Sequence, residues 1–545
     1  MRLELLLVAL LGTVACSPAV VPATRPTPAT PRAPETPPTP PTPIIKEAPQ
    51  NWHLLDPTAD GVFGISALRA ERELLNGRQP QRVVIVAVID GGVDTAHAAL
   101  TSRLWTNARE VPGNGKDDDN NGYVDDSHGW NFIGGRDGKN VNEDTFEVTR
   151  LAVLCADTTA PGRARMPAAY LQSCASIAAE VIKKHGEAEQ TLGNVLQFEE
   201  LFAKIGPVLR RATRSDTLTA ASVAALQPAN DTVRQARSIF LNLAQNGLSE
   251  DEVSEAKKAY GSRVKFGFNM TFNPRRVVGD DYPDTLVKRY GNGDVTGPDA
   301  GHGTHVAGII GSRRDNGGIG IAQNVRIMSV RTVPDGDERD KDVANAIRYA
   351  VDNGANVINM SFGKAYSPYK SLVDDAVRYA DRKGVLIVHA AGNEGEDMAT
   401  SASFPTPEYL TGGRAANWIE VGASSWKSRD SLVASFSNYG KSRVDVFAPG
   451  EDIYSTFPGG GYKKQSGTSM ASPVVAGVAA LLMSYFPTLT AADVKRIIMQ
   501  SSTRLGDQMV TKPGESGGRV KFGELSVAGG IVNVFAAVKM AEPRP

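Results

Sequence analysis

After Arg82 the chain runs from Val83 to Ile89 without a polar residue, and most of these residues are β-branched. A half-exposed strand alternates apolar and polar positions, whereas a continuous apolar run must be covered on both faces. Strands of that kind belong to parallel sheets with helices on either side. The run ends at Asp90, and open α/β sheets place their functional groups at the carboxyl ends of such strands.

From His302 onward, short apolar runs typical of strands alternate with longer amphipathic segments typical of helices. The predicted strands are Val325–Val330, Val357–Met360, Val385–Ala391, Trp418–Ala423, Val444–Ala448 and Asp452–Thr456. The predicted helices are Lys341–Asn353, Tyr369–Lys383, Ser469–Tyr485 and Ala491–Ser501. This alternation predicts an α/β fold with a doubly wound, mostly parallel central sheet flanked by helices.

The N-terminus has the features of an export signal. Arg2 precedes an apolar run from Leu5 to Leu11, and small residues then lead to Cys16. We expect residues 1–15 to be a signal peptide. Cys16 resembles the lipid-modified cysteine of bacterial lipoproteins, which predicts a cell-envelope protein held at the outer membrane on its periplasmic or surface side. The alternative is an ordinary signal peptide and a secreted protein.

Residues 16–50 are rich in Pro, Thr and Ala and cannot form a hydrophobic core. They predict either an extended spacer or a disordered tail. Globular sequence begins near Trp52, and beyond the N-terminus we expect no membrane-spanning segment. The formal net charge of -1 gives no support for a nucleic-acid partner, whose phosphates would require a basic face, and we expect none. We expect a monomer.

A stretch of helical character, residues 150–262, interrupts the folded part of the chain. Val195, Phe202 and Leu209 recur on one face of a helix. We interpret the stretch as a helical insertion that gates a cleft, docks a partner or assists folding. Cys155 and Cys174 fall in it, and either a disulfide or two free buried thiols is consistent with the sequence.

Asp90, His302 and Ser469 supply the three groups that activate a serine for nucleophilic attack. Ser469 lies in Gly467-Thr468-Ser469-Met470-Ala471-Ser472-Pro473, which predicts a helix start. There the helix dipole favours the negative charge that develops during attack. A serine is a weak nucleophile, so His302 would take its proton and Asp90 would orient the imidazole.

These motifs resemble those of the subtilisin family of serine peptidases, in which acid, base and nucleophile follow in the same chain order. The resemblance implies that residues 51–545 form a peptidase domain interrupted by the insertion. It implies a serine endopeptidase that cleaves protein or peptide substrates through an acyl-enzyme on Ser469, with no cofactor required for the chemistry. Asn393 would be the side-chain donor of the oxyanion hole. The substrate contacts implied are Ser361, Phe362, Gly363, Ala391 and Gly392.

Two other functions fit parts of the sequence. A binding protein on an inactive peptidase scaffold is one, although scaffolds of that kind usually lose a catalytic residue. An esterase is the other, but the residues around Ser469 lack the Gly-x-Ser-x-Gly pattern of those enzymes. Residues 51–89 also leave no room for the inhibitory propeptide that many family members carry.

An acidic, glycine-rich stretch predicts a possible structural calcium site. Its residues match ligand positions of an EF-hand-type loop, except that His128 stands where the bidentate Glu belongs. An acidic surface turn without an ion is the alternative. The predicted calcium ligands are Asp117, Asp119, Asn121, Tyr123 and Asp125.

Overall fold

The computed structural model describes residues 47–160, 162–280, 289–401, 403–427, 429–514 and 517–542. The predicted signal peptide, Cys16 and most of the Pro-rich spacer lie outside these residues. The strands, in chain order, are β1 Val84–Asp90, β2 Gly129–Asn131, β3 Val325–Arg331, β4 Val357–Met360, β5 Leu386–Ala390, β6 Trp418–Ser424, β7 Val446–Pro449, β8 Ile453–Phe457, β9 Gly461–Gln465, β10 Thr503–Arg504, β11 Met509–Thr511, β12 Arg519–Lys521 and β13 Gly530–Ile531.

The described residues contain a 9-stranded sheet with the order β10-β13-β7-β6-β5-β4-β1-β3-β2. Every pair in it is parallel except β10 with β13. β1 lies between β3 and β4, so the chain winds outward from β1 in both directions. The predicted doubly wound, mostly parallel sheet is confirmed. Asp90 therefore ends the strand at which the winding reverses, where α/β sheets form their binding crevice.

The predicted strand Asp452–Thr456 forms as β8, but it lies outside the large sheet. It pairs antiparallel with β9, which the sequence pattern did not predict. Gly459 and Gly460 both have positive φ, at 74° and 77°. Two consecutive residues of this conformation turn the chain back on itself at once, which produces a hairpin rather than a crossover.

The helices are α1 Ala67–Ala70, α2 Glu147–Ala156, α3 Ala168–Gln172, α4 Cys174–Thr213, α5 Ala220–Ala224, α6 Asp231–Gln245, α7 Glu250–Ser262, α8 Gly301–Gly311, α9 Asp340–Asp352, α10 Lys370–Arg382, α11 Thr468–Tyr485, α12 Ala491–Ser501 and α13 Val534–Ala541. Contrary to the sequence expectation, α11 is long and apolar enough to cross a membrane. However, 89% of it is buried within the protein, as the core helix of a folded domain would be.

Residues Glu187–Gly261 form a compact unit of their own. Val195, Phe202 and Leu209, the predicted helix face, are buried in it. The rings of Phe202 and Phe240 meet edge to face with centroids 6.2 Å apart. The stretch is thus helical and has an apolar core. Its role as an insertion stays a prediction.

Cys155 and Cys174 form a disulfide, which decides between the two alternatives left by the sequence. The bond joins α2 to the first residue of α4. Apolar side chains around it, including Leu151, Ile177 and Val181, form a small buried cluster. A bond between two helix ends next to such a cluster holds these helices in register where short connections alone would not.

Candidate active site

Asp90 and His302 form a hydrogen-bonded pair. Asp90 is the last residue of β1, and His302 is the second residue of α8. His302 Nδ1 lies 2.8 Å from Asp90 Oδ1 and 3.0 Å from Oδ2. Because a carboxylate only accepts hydrogen bonds, Nδ1 carries the proton in the neutral imidazole. Nε2 is then the nitrogen that can accept a proton from a nucleophile.

The environment of His302 favours its protonated form. Burial lowers the pKa of His302, but the charge and hydrogen bond of Asp90, together with the charge of Asp299, outweigh burial and raise the pKa above 6.5. The His302 side chain is 43% exposed, whereas the Asp90 side chain is 4% exposed. His302 thus remains reachable from solvent while the carboxylate that orients it does not.

Ser469 is the second residue of α11 and is half-buried. Its Oγ donates to the backbone oxygen of Ser361 at 3.0 Å, and Ser361 Oγ donates to the backbone oxygen of Ser469 at 2.9 Å. Pro473, the sixth residue of α11, explains the second contact. Its missing N–H leaves the Ser469 carbonyl without a helical donor, and Ser361 supplies one.

Asn393 lies beside the start of α11. Its Oδ1 accepts from the backbone N–H of Thr468 at 2.8 Å and from Thr468 Oγ1 at 3.0 Å. A backbone N–H can only donate, so the oxygen of the amide faces Thr468 and Nδ2 faces the other way. Within the described residues neither Asn393 Nδ2 nor the first-turn N–H of Ser469 has a protein acceptor. The site therefore offers two N–H donors to a bound anion.

Ser361, Phe362 and Gly363 continue the chain directly after β4. Ser361 is bound to Ser469, and the Phe362 carbonyl accepts from His389 Nε2 at 2.9 Å. The backbone N–H and C=O of Gly363 have no partner among the described residues. An extended peptide can pair with unpaired backbone groups of this kind.

Ala391 and Gly392 directly follow β5. Their loop is held by a residue that the sequence did not predict. Asn438 Nδ2 donates to the Ala391 carbonyl at 2.9 Å and to Glu394 Oε2 at 2.7 Å. Gly392 has a φ of 104°, and a Cβ there would lie 2.4 Å from Asn438 Nδ2. Only glycine fits this approach. Asn438 is remote in sequence, and no motif marked it.

The predicted calcium ligands do not all face one point. Asp117 and Asp119 bring their carboxylates together with Glu110, with ligand atoms within 4.8 Å of one another. The Asp125 carboxylate instead accepts from the backbone N–H groups of Asn114 and Gly115. Asn121 donates to Asp126, and the Tyr123 ring packs edge-on against Trp130 and Tyr349. Glu110, which the sequence pattern missed, thus joins Asp117 and Asp119 in one cluster of candidate donors.

An Asp–His pair and a helix-start serine at one edge of a doubly wound parallel sheet define the class of α/β protein to which subtilisin belongs. The sequence model of the subtilase family, Peptidase S8, matches residues 81–514. The chain belongs to this family.

Named relatives match the chain over part of its length. The thermophilic serine proteinase of Bacillus sp. (strain AK1) is 47% identical over 186 residues, which are 34% of this chain and 42% of that protein. Subtilisin DY of Bacillus licheniformis is 40% identical over 212 residues, which are 38% of this chain and 72% of that protein. A cold-adapted subtilisin-like serine proteinase of known structure is 32% identical, covers 45% of this chain and 78% of its own, and has a TM-score of 0.36.

Proposed function

We propose that this protein is a serine endopeptidase that hydrolyses peptide bonds in proteins or peptides. The observation that carries the proposal is the hydrogen bond between Asp90 and His302 at the end of β1. Ser469 at the start of α11 and the free amide donor of Asn393 supply the remaining groups of that chemistry. Membership of the subtilase family supports the same reaction.

In the proposed acylation step, Ser469 Oγ turns from the Ser361 carbonyl to His302 Nε2, which takes its proton as Oγ attacks the substrate carbonyl carbon. The carbonyl oxygen becomes an oxyanion and accepts from the Ser469 N–H and from Asn393 Nδ2. The imidazolium then gives the proton to the leaving nitrogen, and the C–N bond breaks. Water attacks the resulting ester with His302 again as base, which releases the acid and restores Ser469.

Fluorophosphonate labelling tests this proposal without a known substrate. We expect the wild type to be labelled at Ser469 and to digest casein, and the Ser469→Ala variant to do neither. Ser472→Ala is a matched control, because Ser472 belongs to the same motif but its Oγ binds the buried Asn359. Undiminished digestion by Ser469→Ala would refute the mechanism. A folded wild type that is neither labelled nor active would favour the binding protein on an inactive scaffold.

We also propose that the protein is exported and anchored through a lipid on Cys16. The Cys155–Cys174 disulfide supports an oxidising compartment outside the cytoplasm. Metabolic labelling with palmitate, followed by fractionation, compares the wild type with Cys16→Ser. We expect a labelled wild type in the membrane fraction and an unlabelled variant outside it. An unlabelled, freely secreted wild type would support the ordinary signal peptide instead.

For the acidic stretch we propose a structural calcium ion held by Glu110, Asp117 and Asp119. Carboxylate oxygens are the ligands that calcium prefers. Calorimetric titration of calcium into chelator-treated protein should give heat in the wild type and none in Asp117→Asn. Asp118→Asn is the control, because Asp118 instead caps the Val111 N–H and binds Asn114. No heat at millimolar calcium would contradict the proposal.

A further inference from the structure

Behind the Ser361–Gly363 segment lies a buried polar network that the reaction does not use. His389 on β5 and Glu420 on β6 are 0% and 1% exposed. His389 Nδ1 lies 2.8 Å from Glu420 Oε1, and Trp418 Nε1 donates to Glu420 Oε2 at 2.8 Å. The other imidazole nitrogen, Nε2, lies 2.9 Å from the backbone oxygen of Phe362. Both nitrogens of His389 are thus committed to named partners.

The partners of His389 define where its protons lie. The Phe362 carbonyl can only accept, so Nε2 carries a hydrogen. Nδ1 then either donates to an ionised Glu420 or accepts from a protonated one. In both cases the Nε2–H bond to Phe362 is maintained, and no polar atom of the imidazole is left without a partner. A buried network that is fully satisfied in this way is rigid.

This bond sets the orientation of the peptide plane between Phe362 and Gly363. In a planar trans peptide, the C=O of one residue and the N–H of the next point in opposite directions. His389 draws the Phe362 carbonyl toward β5, so the Gly363 N–H must point away from β5. That N–H has no partner among the described residues and is available to a ligand.

The hydrogen bond from His389 to Phe362 matters at this position because Gly363 lacks a Cβ, and a glycine backbone has more conformational freedom than that of any other residue. A side chain at this position would force Ser403 to move, since a Cβ at 363 would lie 2.4 Å from Ser403 Oγ. A contact from outside the Ser361–Gly363 segment therefore has to hold its backbone rigid. His389 reaches it from the neighbouring strand, where Met360 is paired with His389.

We propose that His389, held by Glu420, is a positioning residue for extended peptide substrates. It fixes the Phe362–Gly363 peptide plane so that the Gly363 N–H meets the substrate backbone. The inference rests on the proposed peptidase function and adds a specificity determinant to it. It predicts that the loss of His389 weakens hydrolysis of long substrates much more than that of substrates too short to reach Gly363.

Two amide substitutions separate the bonds that His389 makes. In His389→Gln the amide nitrogen lies near the place of Nε2 and can still donate to Phe362. In His389→Asn the amide nitrogen lies near the place of Nδ1, which keeps the Glu420 contact but leaves Phe362 without its donor. His97→Asn is the control, because His97 is equally buried and its Nε2 contacts the Gly461 carbonyl at 3.0 Å, away from this segment.

The measurement is the ratio of kcat/KM for a tetrapeptide p-nitrophenyl ester to that for the single-residue ester of the same terminal amino acid. Active enzyme is counted by fluorophosphonate titration, so partial unfolding does not enter. We expect His389→Asn to lower the ratio about tenfold, the effect of one hydrogen bond of ordinary strength. We expect His389→Gln and His97→Asn to keep it within about threefold.

A role in stability alone would lower the amount of titratable enzyme and leave both rate constants, and therefore their ratio, unchanged. An unchanged ratio in His389→Asn therefore overturns the inference. If His389→Asn does not fold, His389→Gln decides, since a tenfold loss there would show that the donor to Phe362 is not what matters. A folded wild type that fluorophosphonate does not label would contradict the proposed function itself, which is a separate result.

Discussion

The surroundings of His302 predict how activity depends on pH. The Asp90 charge and hydrogen bond overcome the effect of burial and hold the pKa of His302 above 6.5. In the proposed reaction His302 acts as a base only when neutral, so activity should fall as the pH drops through this raised pKa. Asp299 adds a smaller contribution of the same sign.

We therefore predict an acid limb of kcat/KM with its midpoint above pH 6.5 in the wild type. Asp299→Asn should move the midpoint slightly lower, and Asp90→Asn should move it further, because each removes a negative charge that favours the imidazolium. Asp90→Asn should also reduce kcat about 10⁴-fold, the cost of the corresponding change in a Ser-His-Asp peptidase. Profiles from pH 5 to 9 measure the shift, and an unmoved midpoint in Asp90→Asn would contradict this account of His302.

Substitution of Asn393 should affect the kinetics differently, because its free Nδ2 would donate a hydrogen bond only once an oxyanion forms. We predict that Asn393→Ala lowers kcat by about 10²–10³ and leaves KM nearly unchanged, a magnitude known from subtilisin, a member of the same family. Steady-state kinetics on one peptide substrate separate the two constants. A rise in KM at constant kcat would show instead that Asn393 binds the ground state.

At the scale of elements, two connections tie helix ends to neighbouring elements. Pro473 removes a helical donor from the Ser469 carbonyl, and Ser361 replaces it from the end of β4. The start of α11 is thereby tied to the segment Ser361–Gly363 that follows β4. The Cys155–Cys174 disulfide ties α2 to α4 in a comparable way.

We predict that removing this disulfide lowers the free energy of unfolding of the α2–α4 region by about 3 kcal/mol, since the bond closes a loop of intermediate length. Limited proteolysis and thermal denaturation of the Cys155→Ala/Cys174→Ala variant measure the loss. Cys174→Ala alone should lose as much, because either change breaks the bond. Equal protease resistance in the variant and the wild type would show that the apolar cluster suffices.

At the scale of the whole molecule, a buried charge cluster joins α2, α9 and the segment that follows Gly363. Lys364 Nζ lies 2.9 Å from Glu147 Oε2 and 2.8 Å from Asp340 Oδ1, and it also donates to the Glu338 carbonyl. The cluster's charged members are Asp144, Glu147, Arg150, Asp337, Glu338, Arg339, Asp340 and Lys364. It holds more acids than bases.

The excess of acidic over basic residues affects the pKa of Glu338. Burial raises the pKa of Glu338 to about 8, with help from Asp337 and Asp340 and against the effect of Lys364. One of its oxygens is buried without a hydrogen-bond partner among the described residues. The folded state thus keeps the proton that the unfolded state releases above pH 4.5. The contribution of Glu338 to stability is complete below that pH and is lost as the pH rises toward 8.

We predict that Glu338→Gln becomes more stable relative to the wild type as the pH rises from 5 to 8, because glutamine has no proton to lose. Thermal denaturation across this range measures the difference. Glu147→Gln should show the opposite trend at low pH: burial opposes ionisation of Glu147, but Arg150 and Lys364 hold its pKa at about 2, so its contribution is lost as the pH falls from 4.5. A constant difference for Glu338→Gln would mean that Glu338 is ionised in the folded protein.

Much of this molecule could be predicted from local sequence. The apolar run before Asp90 and the strand–helix alternation after His302 predicted the sheet, because burial on two faces and helical periodicity are written into neighbouring residues. Short motifs marked Asp90, His302, Ser469 and Asn393 as candidate site residues, because each motif consists of neighbouring residues. The hairpin of β8 with β9 was missed, although its glycine pair was visible.

The sequence by itself determined most strands of the large sheet and the candidate site residues, since both depend on residues a few positions apart. Only the tertiary structure decided that Asp90 and His302 are joined by a hydrogen bond, that Glu110 joins Asp117 and Asp119, and that the two cysteines are bonded. It alone placed Asn438 beneath Ala391 and His389 behind Phe362. Most of these contacts join residues far apart in the chain, and they exist only after the core has packed.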